Sequence, residues 1–293
     1  MSQFSALIAH LQQQTGHNLQ NHRLSPVGGG DINSAYHLQS GSLNWFIKIN
    51  RADLLDMFAA EAAGLAELAG GPVRVPQVIC HGEDGKQAYL VLEYLELKPL
   101  HSNSAARLGR LLAQLHRLPQ AHFGWVRDNT IGSTPQYNPV YRDWVSFWRE
   151  QRLGQQLQLA AAQGYGGNLQ KQGEKLSEKL AGLFHGYQPQ ASLLHGDLWG
   201  GNAAVDNHAN PIIYDPACYY GDREADIAMT ELFGGFGAEF YAAYQAEWPL
   251  DAGYKVRKTL YNLYHILNHL NLFGRGYLGQ ADAMLARLLA ELG

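Results

Sequence analysis

The spacing of apolar positions changes character about a third of the way along the chain. Residues 35–38 and 43–49 are short apolar runs on either side of the turn Ser40-Gly41-Ser42, which predicts a β-hairpin. Residues 53–69 carry Ala, Leu and Glu at helical spacing and stop at Gly70-Gly71-Pro72. Two more strands are expected at 75–80 and 88–93, around the turn Glu83-Asp84-Gly85-Lys86, and a short amphipathic helix is expected at 4–14. Beyond Tyr94 the period lengthens. Leu108, Leu111, Leu112 and Leu115 share one face of a helix over 103–117, and helices are expected over 140–163, 168–185 and much of 224–291. Strand candidates there are confined to 192–194, 203–205 and 212–214. The pattern predicts an α+β chain of two lobes: a small antiparallel-sheet lobe over 1–93 and a mainly helical lobe over 94–293, joined by the short link Leu95-Glu96-Leu97-Lys98-Pro99.

Composition narrows the classes. With 293 residues, 46% hydrophobic and 16% charged, the chain is too apolar for disorder and long enough for a substantial core. A net charge of -4 leaves no basic surplus for a nucleic-acid backbone. No run approaches the ~20 apolar residues of a membrane span, and the first residues lack the basic and apolar regions of a signal peptide. The only cysteines, Cys80 and Cys218, fit a reducing compartment. A cytoplasmic protein with no nucleic-acid or membrane partner, a monomer or weak dimer, is expected.

The densest chemistry lies in His195-Gly196-Asp197-Leu198-Trp199-Gly200-Gly201-Asn202, followed by Tyr214-Asp215-Pro216. Apolar stretches flank these polar residues, so they should emerge on tight loops, with Asp197, Asn202 and Asp215 near a common point. Hard oxygen donors of this kind suit Mg2+. A carboxylate there can instead orient a hydroxyl and accept its proton. A second cluster pairs a cation with an acid. Lys48 interrupts an apolar strand, where a charge is costly unless paired. Glu61, on the Ala-rich helix, is its expected partner, with Glu67 as the alternative.

Weaker signals surround these two. Gly28-Gly29-Gly30-Asp31-Ile32-Asn33-Ser34 precedes a strand, so Gly29 and Gly30 could offer backbone N–H groups to phosphates, with Asn33 and Ser34 adding side chains; an ordinary turn is equally compatible. Trp199 can give an amphipathic ligand an apolar face and an N–H donor. Asp222, Arg223, Glu224 and Asp226 could form a rim for a cationic substrate, although helix capping suits at least one of these aspartates better. His265 and His269 have metal-ligand spacing but no third ligand, and are expected to be ordinary core or surface histidines.

The loop His195-Gly196-Asp197-Leu198 through Asn202, with Asp215 following, resembles the catalytic loop and metal-binding aspartate of protein-kinase-like phosphotransferases. That resemblance implies Asp197 as the base, Asn202 and Asp215 as metal ligands, and Lys48 on the nucleotide phosphates, oriented by Glu61. It also implies a nucleotide cleft hinged at Glu93-Tyr94-Leu95, with ATP and Mg2+ as cofactors. Trp-Gly-Gly-Asn at 199–202, Asp215-Pro216-Ala217, Tyr220-Gly221-Asp222-Arg223-Glu224-Ala225-Asp226, Phe123-Gly124 and Leu272-Phe273-Gly274 are similar to the fructosamine kinase (ketosamine 3-kinase) family over about residues 25–280. Membership implies ATP-dependent phosphorylation of O3 on the sugar of a small-molecule ketoamine, of fructosamine or ribulosamine type. The adduct then breaks down and frees the amine. Trp199, Asp197 and Arg223 would meet the acceptor. Some eukaryotic members carry a cysteine in the glycine loop; this chain has none, so no redox switch is expected there. The alternatives are another small-molecule kinase, of aminoglycoside, choline or homoserine type, or a pseudokinase binding module.

Overall fold

The computed structural model describes residues 4–28 and 32–293, so Gly29, Gly30 and Asp31 of the glycine loop lie outside the described residues. After α1 (Ser5–Thr15) come β1 (Arg23–Val27), β2 (Ser34–Ser40) and β3 (Leu43–Arg51). Next are α2 (Leu55–Ala69), β4 (Val78–Glu83) and β5 (Gln87–Glu93). The five strands form one antiparallel sheet in the order β1-β2-β3-β5-β4. Side chains alternate across a strand. Trp45, Ile47 and Ile49 of β3 therefore face α1, packing with Leu7, Leu11, Tyr89 and Val91. Phe46 and Lys48 face the opposite side, where Leu90 and Leu92 meet Phe58, Leu65 and Leu68 of α2. That parity aims the Lys48 side chain at α2.

The second lobe follows as α3 (Ser102–His116), β6 (Asn129–Ile131), β7 (Thr134–Gln136), α4 (Trp144–Trp148), α5 (Gln155–Ala162) and α6 (Asn168–Lys179). It continues with β8 (Ala191–Leu194), β9 (Ala203–Val205), β10 (Pro211–Ile213) and β11 (Tyr219–Asp222). It closes with α7 (Glu224–Leu232), α8 (Ala238–Glu247), α9 (Tyr254–Phe273) and α10 (Leu278–Leu292). The α+β, two-lobed architecture is as expected. One apolar core runs from Phe58 and Leu90 through Leu112 and Trp148 to Leu267 and Leu288, so the lobes share packing rather than meeting across a wet gap.

Four local expectations need correction. β1 was not expected, because Pro26 interrupts its pattern; β1 is an edge strand, where a residue without an N–H is tolerated. β4 begins at Val78 rather than 75. β6, β7 and β11 lie outside the three strands expected in the helical lobe: β6 pairs with β7, and β11, hidden in a polar motif, pairs with β8. The helix expected over 140–163 is broken by a wide turn at Arg149–Gly154. There Arg152 is fully buried, 4.1 Å from the Tyr219 ring and 4.6 Å from Phe147, and donates to Tyr137 O and Asn138 Oδ1. A side chain at Gly154 would sit 2.8 Å from Arg149 O, which is why a glycine fits that turn.

Candidate active site

The loop after β8 is held by its own backbone and by one distant carboxylate. Gly196 has φ +82°, and a Cβ there would lie 2.0 Å from Ala217 O, so only glycine fits. Ala217 N–H donates to His195 O at 2.8 Å, and His195 Nε2 donates to Tyr214 O at 3.0 Å. Those bonds clip the Asp197 loop to the Asp215 segment. Asp226, buried in α7, accepts the N–H of His195 at 2.7 Å and of Gly196 at 2.8 Å. It also lies 3.2 Å from His116 Nε2. Burial opposes ionisation of Asp226, but the His116 bond and charge outweigh it and hold the carboxyl below its usual range.

Lys48 and Asp215 meet across the two lobes. Lys48 Nζ is 2.6 Å from Glu61 Oε1 and 2.5 Å from Asp215 Oδ1. Burial alone would lower the lysine; the charges of Asp215 and then Glu61 overcome that, so the ammonium is held firmly protonated. Glu67 is not its partner, for it accepts from Tyr220 OH at 2.7 Å. Asp215 itself has φ +57°, a conformation that aspartate tolerates better than most residues. Asn202 spends its NH2 group on Asp197 O at 2.8 Å and on Asp197 Oδ2 at 3.3 Å. Its Oδ1 and Asp215 Oδ2 accept no hydrogen bond among the described residues. Two hard oxygens thus remain beside one another's loops, a donor set that suits a Mg2+ completed by phosphate and water. Asp197 is pushed up to about 7, first by burial and then by the Asp215 charge.

The remaining expected residues divide. At the hinge, Glu93 N–H donates to Gln77 O and Tyr94 N–H to Asn44 O, and the Tyr94 ring stacks on His37 at 3.5 Å. The Leu95 N–H has no acceptor among the described residues. Asn33 Oδ1 accepts from Asn50 at 2.8 Å, and Ser34 opens β2 opposite Ile49. Trp199 is 38% exposed. Its ring lies over Gly201, where a Cβ would come within 2.3 Å, and meets Phe233 edge-on at 6.2 Å. Phe233 continues to His269 at 5.1 Å and His269 to Tyr277 at 5.1 Å, an aromatic row that sequence spacing did not reveal.

Arg223 and the acidic rim are a correction. Arg223 is buried; its guanidinium donates to Trp248 O and Pro249 O and lies 3.9 Å over the Trp248 ring. Asp222 accepts from Tyr187 and Tyr261, and Glu224 pairs with Arg257 at 2.7 Å. These groups are internal struts and present no face to a ligand. Asp226 instead supports the loop that carries Asp197, through a contact 30 residues away in sequence that no local pattern announces.

A strand lysine paired to a helix glutamate and facing an aspartate, with a second loop carrying aspartate and asparagine, on a sheet lobe packed against a helical lobe, defines a kinase-like phosphotransferase. The chain belongs to the fructosamine kinase family, whose model matches residues 3–291. It is 46% identical to a probable ketoamine kinase of Synechocystis over 98% of this chain and 97% of that one. It is 43% identical to the chloroplastic protein-ribulosamine 3-kinase of Arabidopsis thaliana, over 92% and 83%. A crystal structure assigned to the fructosamine-3-kinases, from Haemophilus somnus, superposes with a TM-score of 0.88 at 29% identity, over 97% and 96%.

Proposed function

We propose that the protein uses ATP to phosphorylate O3 on the sugar of small ketoamines, of ribulosamine and fructosamine type. The observation that carries this reading is the meeting of Lys48, Glu61 and Asp215 beside the Asp197–Asn202 loop, in a chain alike over nearly its whole length to a probable ketoamine kinase. Lys48 binds phosphate oxygens and Glu61 holds it in place. The unspent Leu95 N–H meets the adenine, and Asn33 and Ser34 flank the phosphates. Asp197, raised in pKa by burial, orients the sugar hydroxyl and takes its proton as O3 attacks the γ-phosphorus and the bond to ADP breaks. Asp215 and Asn202 would hold Mg2+, which when bound neutralises phosphate charge. Trp199 gives the sugar its apolar face.

Catalysis on this reading is positioning and electrostatics. Phosphorylation leads to release of the amine, so the activity reverses glycation. Both cysteines, Cys80 and Cys218, are free, in keeping with a reducing compartment such as the cytoplasm. No helix among the described residues is long and apolar enough to cross a membrane. The test is ADP release with a panel of synthetic ribulosamine, fructosamine, aminoglycoside, choline and homoserine. Turnover and a phosphorylated product only with the ketoamines support the reading; turnover confined to another acceptor overturns it.

A further inference from the structure

A ketoamine carries two parts, and the site just described accounts only for the sugar. The other part, the amine and its substituent, must leave the site along some wall. The acidic residues expected to meet a cationic amine, Asp222, Glu224 and Asp226, are buried and engaged elsewhere. A cleft of about 490 Å³ opens on the loop of Asp197 itself, at Gly200, between the start of α3 and the turn entering α8. Nothing lies within 4 Å of where a Gly200 Cβ would stand, so the loop leaves free space there. Three residues of chain span at most about 10 Å, which sets the reach from Asp197 to Gly200. That is the scale of a sugar and the first atoms of its amine substituent.

The walls have a definite chemistry. Leu100, Ala105 and Phe236 are apolar; His101, Ser102 and Glu239 are polar and exposed, and of these only Glu239 is a carboxylate. Gly235 and Gly237, at φ +76° and +85°, flank Phe236 with backbone that other residues rarely adopt, and so shape that wall. Glu239 has no ion pair or hydrogen-bonded partner among the described residues, whereas nearby Glu231 is bound by Tyr254 and Lys258. A cleft whose wall combines an apolar stretch with an unpaired carboxylate complements an alkyl chain that ends in a cation.

Resting on the ketoamine reading above, we propose that this cleft receives the amine-side substituent of the substrate. Glu239 then gives the enzyme a preference for substituents that carry a net positive charge, such as an alkyl chain ending in an ammonium group.

The test uses three ribulosamines with the same sugar: one N-methyl, one with an alkyl chain ending in an ammonium, and one with a chain of equal length ending in a hydroxyl. The wild type should show the lowest KM for the ammonium substrate. Glu239→Gln should raise that KM roughly three- to tenfold and leave the other two substrates and every kcat unchanged. Ser102→Trp, which fills the cleft, should raise KM for both long-chain substrates and spare the N-methyl one. Equal KM for the charged and neutral chains in the wild type overturns the proposal, as does a Glu239→Gln effect common to all three or absent from all. If the wild type phosphorylates none of the three, the ketoamine reading falls, and this proposal with it. Turnover of the N-methyl adduct with no effect of either variant sinks the cleft assignment alone.

Discussion

Gly64 of α2 lies against the thiol of Cys218: a Cβ at Gly64 would stand 3.2 Å from Cys218 Sγ and 3.4 Å from Pro216 Cγ. The helix that carries Glu61 is thereby seated directly on the segment that carries Asp215. Lys48 receives both carboxylates because these two elements touch. Gly64→Val would push α2 off that seat by more than the few tenths of an ångström the contact can absorb. Turnover should fall roughly ten- to hundredfold although no charged group has been removed. Gly64→Ala should cost much less. Equal activity of the valine variant and the wild type would show that α2 does not set the lysine's geometry.

The hinge gives a second expectation. Glu93 and Tyr94 have spent their N–H groups within the sheet lobe, and Leu95 has not. Leu95→Pro removes that one donor, whereas Leu95→Ala keeps it. The proline variant should show about a tenfold higher KM for ATP with little change in kcat, the loss of one hydrogen bond to a ligand. Unchanged ATP affinity in a variant with a native circular-dichroism spectrum would place the adenine contact elsewhere.

Asp215 faces Lys48 with one oxygen and leaves the other unengaged. Asp215→Asn should raise the Mg2+ concentration required for half-maximal activity several-fold and lower the maximum rate. An unchanged magnesium titration would remove Asp215 from the metal's ligands.

His265 sets a pH dependence of stability. It is buried in α9 with Nδ1 unpartnered, and burial, with a smaller push from His269, lowers its pKa to about 3. Asp226 acts in the opposite sense and Arg152 in the same sense as the burial. The unfolded chain protonates this histidine near 6.5 and the folded chain resists. Its contribution is therefore complete above 6.5 and is lost as pH falls towards 3. Between pH 7.5 and 5 the stability of the wild type relative to His265→Leu should shift by about 2 kcal/mol in the variant's favour. Urea midpoints at the two pH values read this difference; a constant difference contradicts the buried neutral histidine.

What the sequence disclosed follows from how local each signal is. Lys48 and Glu61 were legible because a charge inside an apolar strand needs a partner, and the next helix offers one. Gly196 and Gly201 stood in a polar loop whose composition already marked chemistry. From its neighbours in sequence Asp226 reads as a cap or as part of an acidic rim, and its grip on the backbone of His195 and Gly196 is a tertiary contact with no local signature. Arg223 misled for the same reason: an arginine among acids looks exposed, whereas Trp248 O and Pro249 O enclose it. The row Trp199–Phe233–His269 joins a loop, a helix end and a distant helix, and only folding makes it a row. β1 was hidden by Pro26 and the wide turn at Arg149–Gly154 by an unbroken helical period, since neither edge position nor a one-residue widening alters the apolar pattern.

In the proposed function, Asp197 is the residue on which the chemistry turns. The most direct measurement is the rate at which wild type and Asp197→Ala convert a synthetic ribulosamine to its phosphate ester in Mg-ATP, read by mass spectrometry, with thermal midpoints recorded for both. The wild type should form the ester, and the folded variant should be slower by roughly 10²–10⁴-fold. A folded variant that forms the ester at the wild-type rate would contradict the assignment of Asp197 as the group that takes the proton.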